Sequence, residues 1–153
     1  MQKNLLILVG LTLFLFGFSS CLKDNPKKQA ETDHQIIEAY AKANNLDGQF
    51  TNSGLYYVIV TPGSDNHPTL NSRVTVDYKG YFLDGTTFDQ GTNISFPLTN
   101  VIPGWQEGIQ LIGSEGKIIL IIPSGLAYGS TQYKSIPANS VLGFDITLHS
   151  FTN

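Results

Sequence analysis

One carboxylate, a few phenolic hydroxyls and the chain's only tryptophan stand among residues that could do chemistry of an unusual, uncharged kind. Trp105 lies in Val101-Ile102-Pro103-Gly104-Trp105-Gln106-Glu107-Gly108. Upstream are Val74-Thr75-Val76-Asp77-Tyr78-Lys79-Gly80 and Asp84-Gly85-Thr86-Thr87-Phe88-Asp89. Downstream are Ala127-Tyr128-Gly129, Ile136-Pro137 and Phe144-Asp145. Rings and branched apolar residues at turn-flanked positions, with one aspartate, can build a small apolar pocket with few polar groups. Such a pocket suits a neutral, ring-shaped side chain and suits phosphate, metal or nucleic acid poorly.

Other chemistries find no support. His34, His67 and His149 have no ligand spacing and no cysteine partner. No Gly-x-Ser-x-Gly elbow marks a nucleophile, and no glycine-rich loop follows a strand and opens a helix to cradle phosphate. No metal and no cofactor is therefore expected. The net charge of −3, with only 14% charged residues, argues against a nucleic-acid partner, which would favour a basic face.

The elements that must position these residues can be read from periodicity. Residues 1–20 read as an export signal: Lys3, a short apolar run from Leu5 to Phe16, and Ser19-Ser20 before a cut. That run is shorter than the roughly 20 residues of a membrane-spanning helix. Phe18-Ser19-Ser20-Cys21 resembles the bacterial lipobox, which implies acylation of Cys21 and a lipid anchor in the cell envelope. Leu22 after the cysteine resembles an outer-membrane address, facing the periplasm or the cell surface. Residues 21–30 read as a tether. A helix is expected from Thr32, where Thr32 and Gln35 have capping-box spacing, through the stripe Ile36, Ile37, Tyr40 and Ala41. It is too short to be stable alone, so it should dock on the body or a partner, with residues 31–53 serving as helix and linker.

Strand signals follow in the domain from residue 54 to 153. Leu55 to Val60 is rich in branched and aromatic residues. Arg73 to Phe82 alternates, Asp84-Gly85 is a hairpin signal, and Ile94 to Leu98 returns. Gly104 to Leu111 suits one short helix. Lys117 to Ile122 is apolar on both faces and should be a central strand. Pro123 to Asn139 is a long loop, and Val141 to Phe151 alternates again. The expectation is an α+β fold: an antiparallel five-stranded half-barrel sheet wrapped around one short helix, with an extra N-terminal helix.

In register, Val-x-x-x-Tyr-x-Gly-Tyr, Asp-Gly-Thr-x-Phe-Asp, Val-Ile-x-Gly-Trp-x-Glu-Gly, Ala-Tyr-Gly and Ile-Pro-x-Asn-x-x-Leu-x-Phe-Asp resemble the FKBP-type peptidyl-prolyl cis-trans isomerases over roughly residues 54 to 151. The resemblance implies an isomerase acting on Xaa-Pro bonds of unfolded or exported polypeptides, with a macrolide as a second ligand the pocket could take. It implies Trp105 as the floor beneath a proline ring, with Tyr78, Phe88, Val101, Ile102 and Phe144 as walls. Asp89 would sit beside the twisting amide. Tyr128 would offer its hydroxyl and Ile102 its backbone N–H to substrate carbonyls. Tyr133 and Ile136 would lie in a flap. The chain departs from the pattern at Ile94, where an aromatic wall is frequent, at Ser135 and Ala138 in the flap, and at Gly143, where a branched residue is common. A rival reading keeps the pocket as a binding module, a chaperone or envelope-assembly subunit with little turnover.

Overall fold

The computed structural model describes residues 25–153. The expected signal segment, the Cys21 acylation site and the tether up to residue 24 lie outside them. Among the described residues no helix is long and apolar enough to cross a membrane.

The first helix, α1, runs Pro26–Ala43, so it begins inside the stretch expected to be a tether. The Asn25 side chain accepts from the N–H groups of Lys27 and Lys28 at 3.1 and 3.3 Å. Pro26, whose fixed φ suits the first helical position, follows it. Thr32 and Gln35 do not cap anything. Thr32 Oγ1 donates to the Lys28 carbonyl and Gln35 Nε2 to Glu31, one turn back inside the helix. An Asn-Pro start outcompetes an internal capping-box pattern because it satisfies the end amides first.

Six strands follow: β1 (Gln49–Phe50), β2 (Tyr56–Thr61), β3 (Arg73–Phe82), β4 (Thr87–Pro97), β5 (Gly116–Ile122) and β6 (Leu142–Thr152). A short helix, α2 (Pro103–Ile109), lies between β4 and β5. The sheet has the order β1-β2-β5-β6-β3-β4 and every pairing is antiparallel. The half-barrel around one helix is thus present, with two differences. The two-residue β1 is a sixth strand, too short to leave a period-two signal. β4 begins at Thr87 rather than Ile94, so the hairpin from Asp84-Gly85 is continuous.

Two apolar layers hold the sheet. On the concave face, Val74, Val76, Ile118, Leu120, Ile122, Leu142, Ile146 and Leu148 pack around Trp105 and Ile109 of α2. The helix lies unusually close to β5, where a Cβ on Gly108 would come 2.6 Å from Leu120 and one on Gly104 would come 2.5 Å from Ile122. On the convex face, Ile37 and Ala41 of α1 pack on Tyr56, Ile121 and Val141. This second layer explains why β5 is apolar on both faces. Full burial of a side chain such as Ile37 contributes about 1.5–3 kcal/mol, which fastens α1 to the body. The expected stripe is rotated slightly, since Ile36 is exposed and Ile37 and Ala41 carry the contact.

Candidate functional site

The site is built on the concave face from the rings that surround Trp105. Residues alternate along β3, which sends Val74 and Val76 into the core and Tyr78 to the open end of the same face. The strand partner of Gly80 on β6 is Phe144. A Cβ on Gly80 would lie 2.8 Å from both Phe144 and Phe88. Glycine there lets the two rings meet, edge to face, with centroids 5.6 Å apart at 89°. The turn after β4 delivers Val101 and Ile102 to the first turn of α2, and Gln106 Nε2 pins it by donating to the Val101 carbonyl at 2.8 Å.

Trp105 is only 4% exposed. Tyr78 meets its indole edge-on at 5.1 Å, Phe144 at 5.3 Å, and Phe96 at 5.8 Å in a tilted contact. Among the described residues its Nε1 has no hydrogen-bond partner. Phe96 was absent from the residues inferred from sequence. Its signal was the β4 alternation that places it with Ile94 on the face of β3 residues Val74 and Val76.

The polar groups stand around this floor at different depths. Asp89 is exposed, at the rim. One of its oxygens accepts from the Tyr78 hydroxyl at 2.9 Å, the other from the Gln90 N–H at 2.9 Å. Burial and the Asp89 carboxylate push the Tyr78 hydroxyl up to about 12. Both favour the neutral phenol, which can donate where a phenolate could not. Tyr128 is half-buried and likewise raised, by burial first, then by Tyr133 and Asp89. The Ile102 carbonyl accepts from the Trp105 and Gln106 amides, while its own N–H meets no acceptor among the described residues.

The long loop brings its residues to the same end. Tyr133 and Ile136 pair through two backbone hydrogen bonds of 3.0 and 2.8 Å, forming a tight flap with Lys134 at φ 51°. Ile136 turns inward, 5% exposed, and joins the Trp105 cluster. Tyr133 is 45% exposed and stacks flat on Tyr128, centroids 4.5 Å apart at 6°. Ile94 is 44% exposed and stands at the rim, so it is a marginal wall. Of the residues expected at the site, Trp105 and Phe144 lie in the main apolar cluster, and Tyr78, Phe88, Val101, Ile102 and Tyr128 pack against it.

Gly143 has a local reason. A Cβ there would lie 2.2 Å from the Tyr81 ring, which covers the strand partner position on the convex face. The Tyr81 ring fills the space that a side chain at Gly143 would need, away from the ring-walled face.

Size alone does not locate the site. A 740 Å³ cleft lies elsewhere, between α1 and the loop from Pro123, lined by residues such as His34, Asn52 and Gly125 and lacking any cluster of rings. Among the described residues no group of His, Cys, Asp or Glu could hold a metal ion.

This ring-walled face on a six-stranded antiparallel sheet defines a known class. Residues 64–149 match the family model for FKBP-type peptidyl-prolyl cis-trans isomerases, and the chain belongs to that family of enzymes. It is 38% identical over 144 residues to the FKBP-type isomerase FkpA of Escherichia coli, covering 88% of this chain and 53% of that protein. FkpA of Buchnera aphidicola from Schizaphis graminum is 47% identical over 108 residues, covering 67% and 43%. A crystal structure of a peptidyl-prolyl cis-trans isomerase from Pseudomonas syringae superposes with a TM-score of 0.72 at 32% identity, covering 85% of this chain and 98% of that one. The chain spans about half the length of the curated relatives it matches.

Proposed function

We propose that this chain accelerates cis-trans isomerisation of Xaa-Pro bonds in polypeptides by binding the twisted amide without a covalent step. The observation that carries the reading is the buried Trp105 indole, walled by rings and flanked by an unspent Ile102 N–H and a neutral Tyr128 hydroxyl.

An amide resists rotation by about 18–20 kcal/mol because its C–N bond shares the carbonyl's electrons. At Xaa-Pro the isomers are close in energy yet exchange over about tens to hundreds of seconds. The rotated amide has lost that resonance, so its carbonyl carries less charge. A proline ring seated on Trp105, between Tyr78 and Phe144, would hold the amide where water is excluded. There the polar planar form loses hydration that the less polar rotated form needs less. The Ile102 N–H and the Tyr128 hydroxyl would donate to the flanking carbonyls and hold the peptide bent. Asp89 would act from the rim, fixing the Tyr78 wall and facing the amide as it turns. Only what binds the rotated state more tightly than the planar one raises the rate. Each 1.36 kcal/mol of such preference is about tenfold.

The finer address rests on sequence. The lipobox-like Phe18-Ser19-Ser20-Cys21 supports an acylated N-terminus and a lipid anchor in the cell envelope, on the outer membrane. The named relatives are bacterial isomerases, which supports exported polypeptides as clients. A macrolide would occupy the same ring-lined face.

A protease-coupled assay on a proline tetrapeptide tests the activity. Acceleration above the uncatalysed rate by folded protein is expected. A folded protein that binds unfolded chains and gives no acceleration would overturn the enzyme and leave the binding-module reading in its place. Incorporation of labelled palmitate, lost in Cys21→Ala, tests the anchor. Equal labelling of both would overturn it.

A further inference from the structure

We propose that Asp33, on the N-terminal helix, is a positioning residue for the isomerase site: through Ser124 it fixes the loop backbone that aims the Tyr128 hydroxyl. The proposal deepens the isomerase reading and rests on it.

Asp33 is 1% exposed. Carboxylates are almost never so buried unless partnered. Here all the partners are neutral donors. One oxygen accepts from the Ser124 N–H at 2.8 Å and from the Ser124 hydroxyl at 2.6 Å. The other accepts from Gln29 Nε2 at 2.7 Å. Backbone and side chain of one residue meet the same oxygen, so the contact fixes the orientation of Ser124 as well as its position. Ser124 is itself buried and opens the 3-10 turn Ser124–Leu126 that starts the long loop.

From Ser124 the path to the site is short. Its carbonyl accepts from the Ala127 N–H at 3.0 Å and the Gly129 N–H at 2.9 Å, the amides on either side of Tyr128. The Gly129 carbonyl then accepts from the Asn139 N–H at 2.8 Å, closing the loop's far end on the same point. Gly129 adopts φ 74°, a conformation that only this residue type takes freely. The backbone carrying Tyr128 is thus suspended from Ser124 on both sides, and Ser124 is held by Asp33 from a different element. The ring of Tyr128 gains a flat support from Tyr133 but no side-chain hydrogen bond among the described residues. Its direction is therefore set by the backbone.

Packing does not require the carboxylate. Ile37 and Ala41 already fasten α1 to the sheet. What the carboxylate adds is direction at one loop residue. The N-terminal helix is then part of the working site.

The test is a double-mutant cycle in the full chain, with kcat and KM measured for a proline peptide. Tyr128→Phe alone should lower kcat. Asp33→Asn should lower kcat about fivefold, the worth of roughly one net hydrogen bond, with KM nearly unchanged because the rings still bind proline. In the Tyr128→Phe background the same change should cost less than about twofold, since coupled residues are not additive. Ser124→Ala, which keeps the backbone N–H, should give a smaller loss of the same kind and serves if Asp33→Asn does not fold. An equal cost of Asp33→Asn in both backgrounds, or no loss in folded protein, would overturn the proposal. If Tyr128→Phe leaves kcat untouched, the assignment of Tyr128 to the isomerase site fails instead, and this proposal falls with it.

Discussion

Replacing Gly80 by alanine should damage the site through sterics alone. The new methyl carbon would come within 2.8 Å of Phe144 Cε1 and of Phe88 Cζ, and 2.9 Å of Phe88 Cε2. Cβ contacts under 3 Å essentially do not occur, so the two rings must part. Overpacking of a tight core costs about 1–3 kcal/mol. Alanine also stiffens the unfolded chain, which returns about 0.4–1 kcal/mol. The net expectation is a loss of about 1–2 kcal/mol. For a domain of this size that lowers the melting temperature by about 3–10 °C. The displaced rings are walls of the proposed proline seat, so kcat/KM should fall by more than the folded fraction does. Gly125→Ala is the control: a Cβ there meets nothing within 4 Å, and neither melting temperature nor rate should drop. Thermal melts paired with isomerase kinetics read both effects. A Gly80→Ala protein that melts like wild type and turns over at the same rate would refute the argument that these rings are close-packed and functional.

Other expectations follow from the same geometry. Phe88→Ala and Asp89→Ala should each lower kcat/KM about tenfold while circular dichroism stays native, and unchanged rates in both would misplace the site. Gly143→Val should destabilise strongly against the Tyr81 ring, and Tyr81→Ala in the same chain should restore the melting temperature. Tyr78 is raised to about 12, so folding keeps its proton while an unfolded tyrosine loses it near 10. Its stabilising share is full below pH 10 and is lost as pH rises toward 12. Absorbance at 295 nm should show this residue ionising late, and Tyr78→Phe should flatten the alkaline fall in stability. The Asp77 carboxyl is held below the usual range by the Asn93 N–H and His149. Its share is present above about pH 4 and lost as pH falls further. Urea titrations of Asp77→Asn should show a shallower acid decline.

Much of this was legible in the sequence because it depends on period and on turn chemistry. β3 alternates between two environments, and the doubly apolar β5 is doubly covered by α1 and α2. Asp84-Gly85 closes the β3–β4 hairpin, with Gly85 at φ 91°. The helix start is not legible, because two capping signals compete and local spacing does not say that Asn25 is the one used. Phe96 was missed because an isolated ring in a strand looks like any core residue. Asp33 and Ser124 are 91 positions apart, and nothing in local spacing can announce a bond formed by docking a helix on a loop.

The most direct measurement is two-dimensional exchange NMR on a proline peptide with the protein at catalytic concentration. A seat that favours the rotated amide over both planar forms must speed exchange without moving the cis-to-trans ratio. The account predicts a rate that rises linearly with protein and a constant ratio. An unchanged exchange rate, or a ratio that drifts as protein is added, would mean that the face around Trp105 holds one planar isomer and does not carry the bond through its rotation.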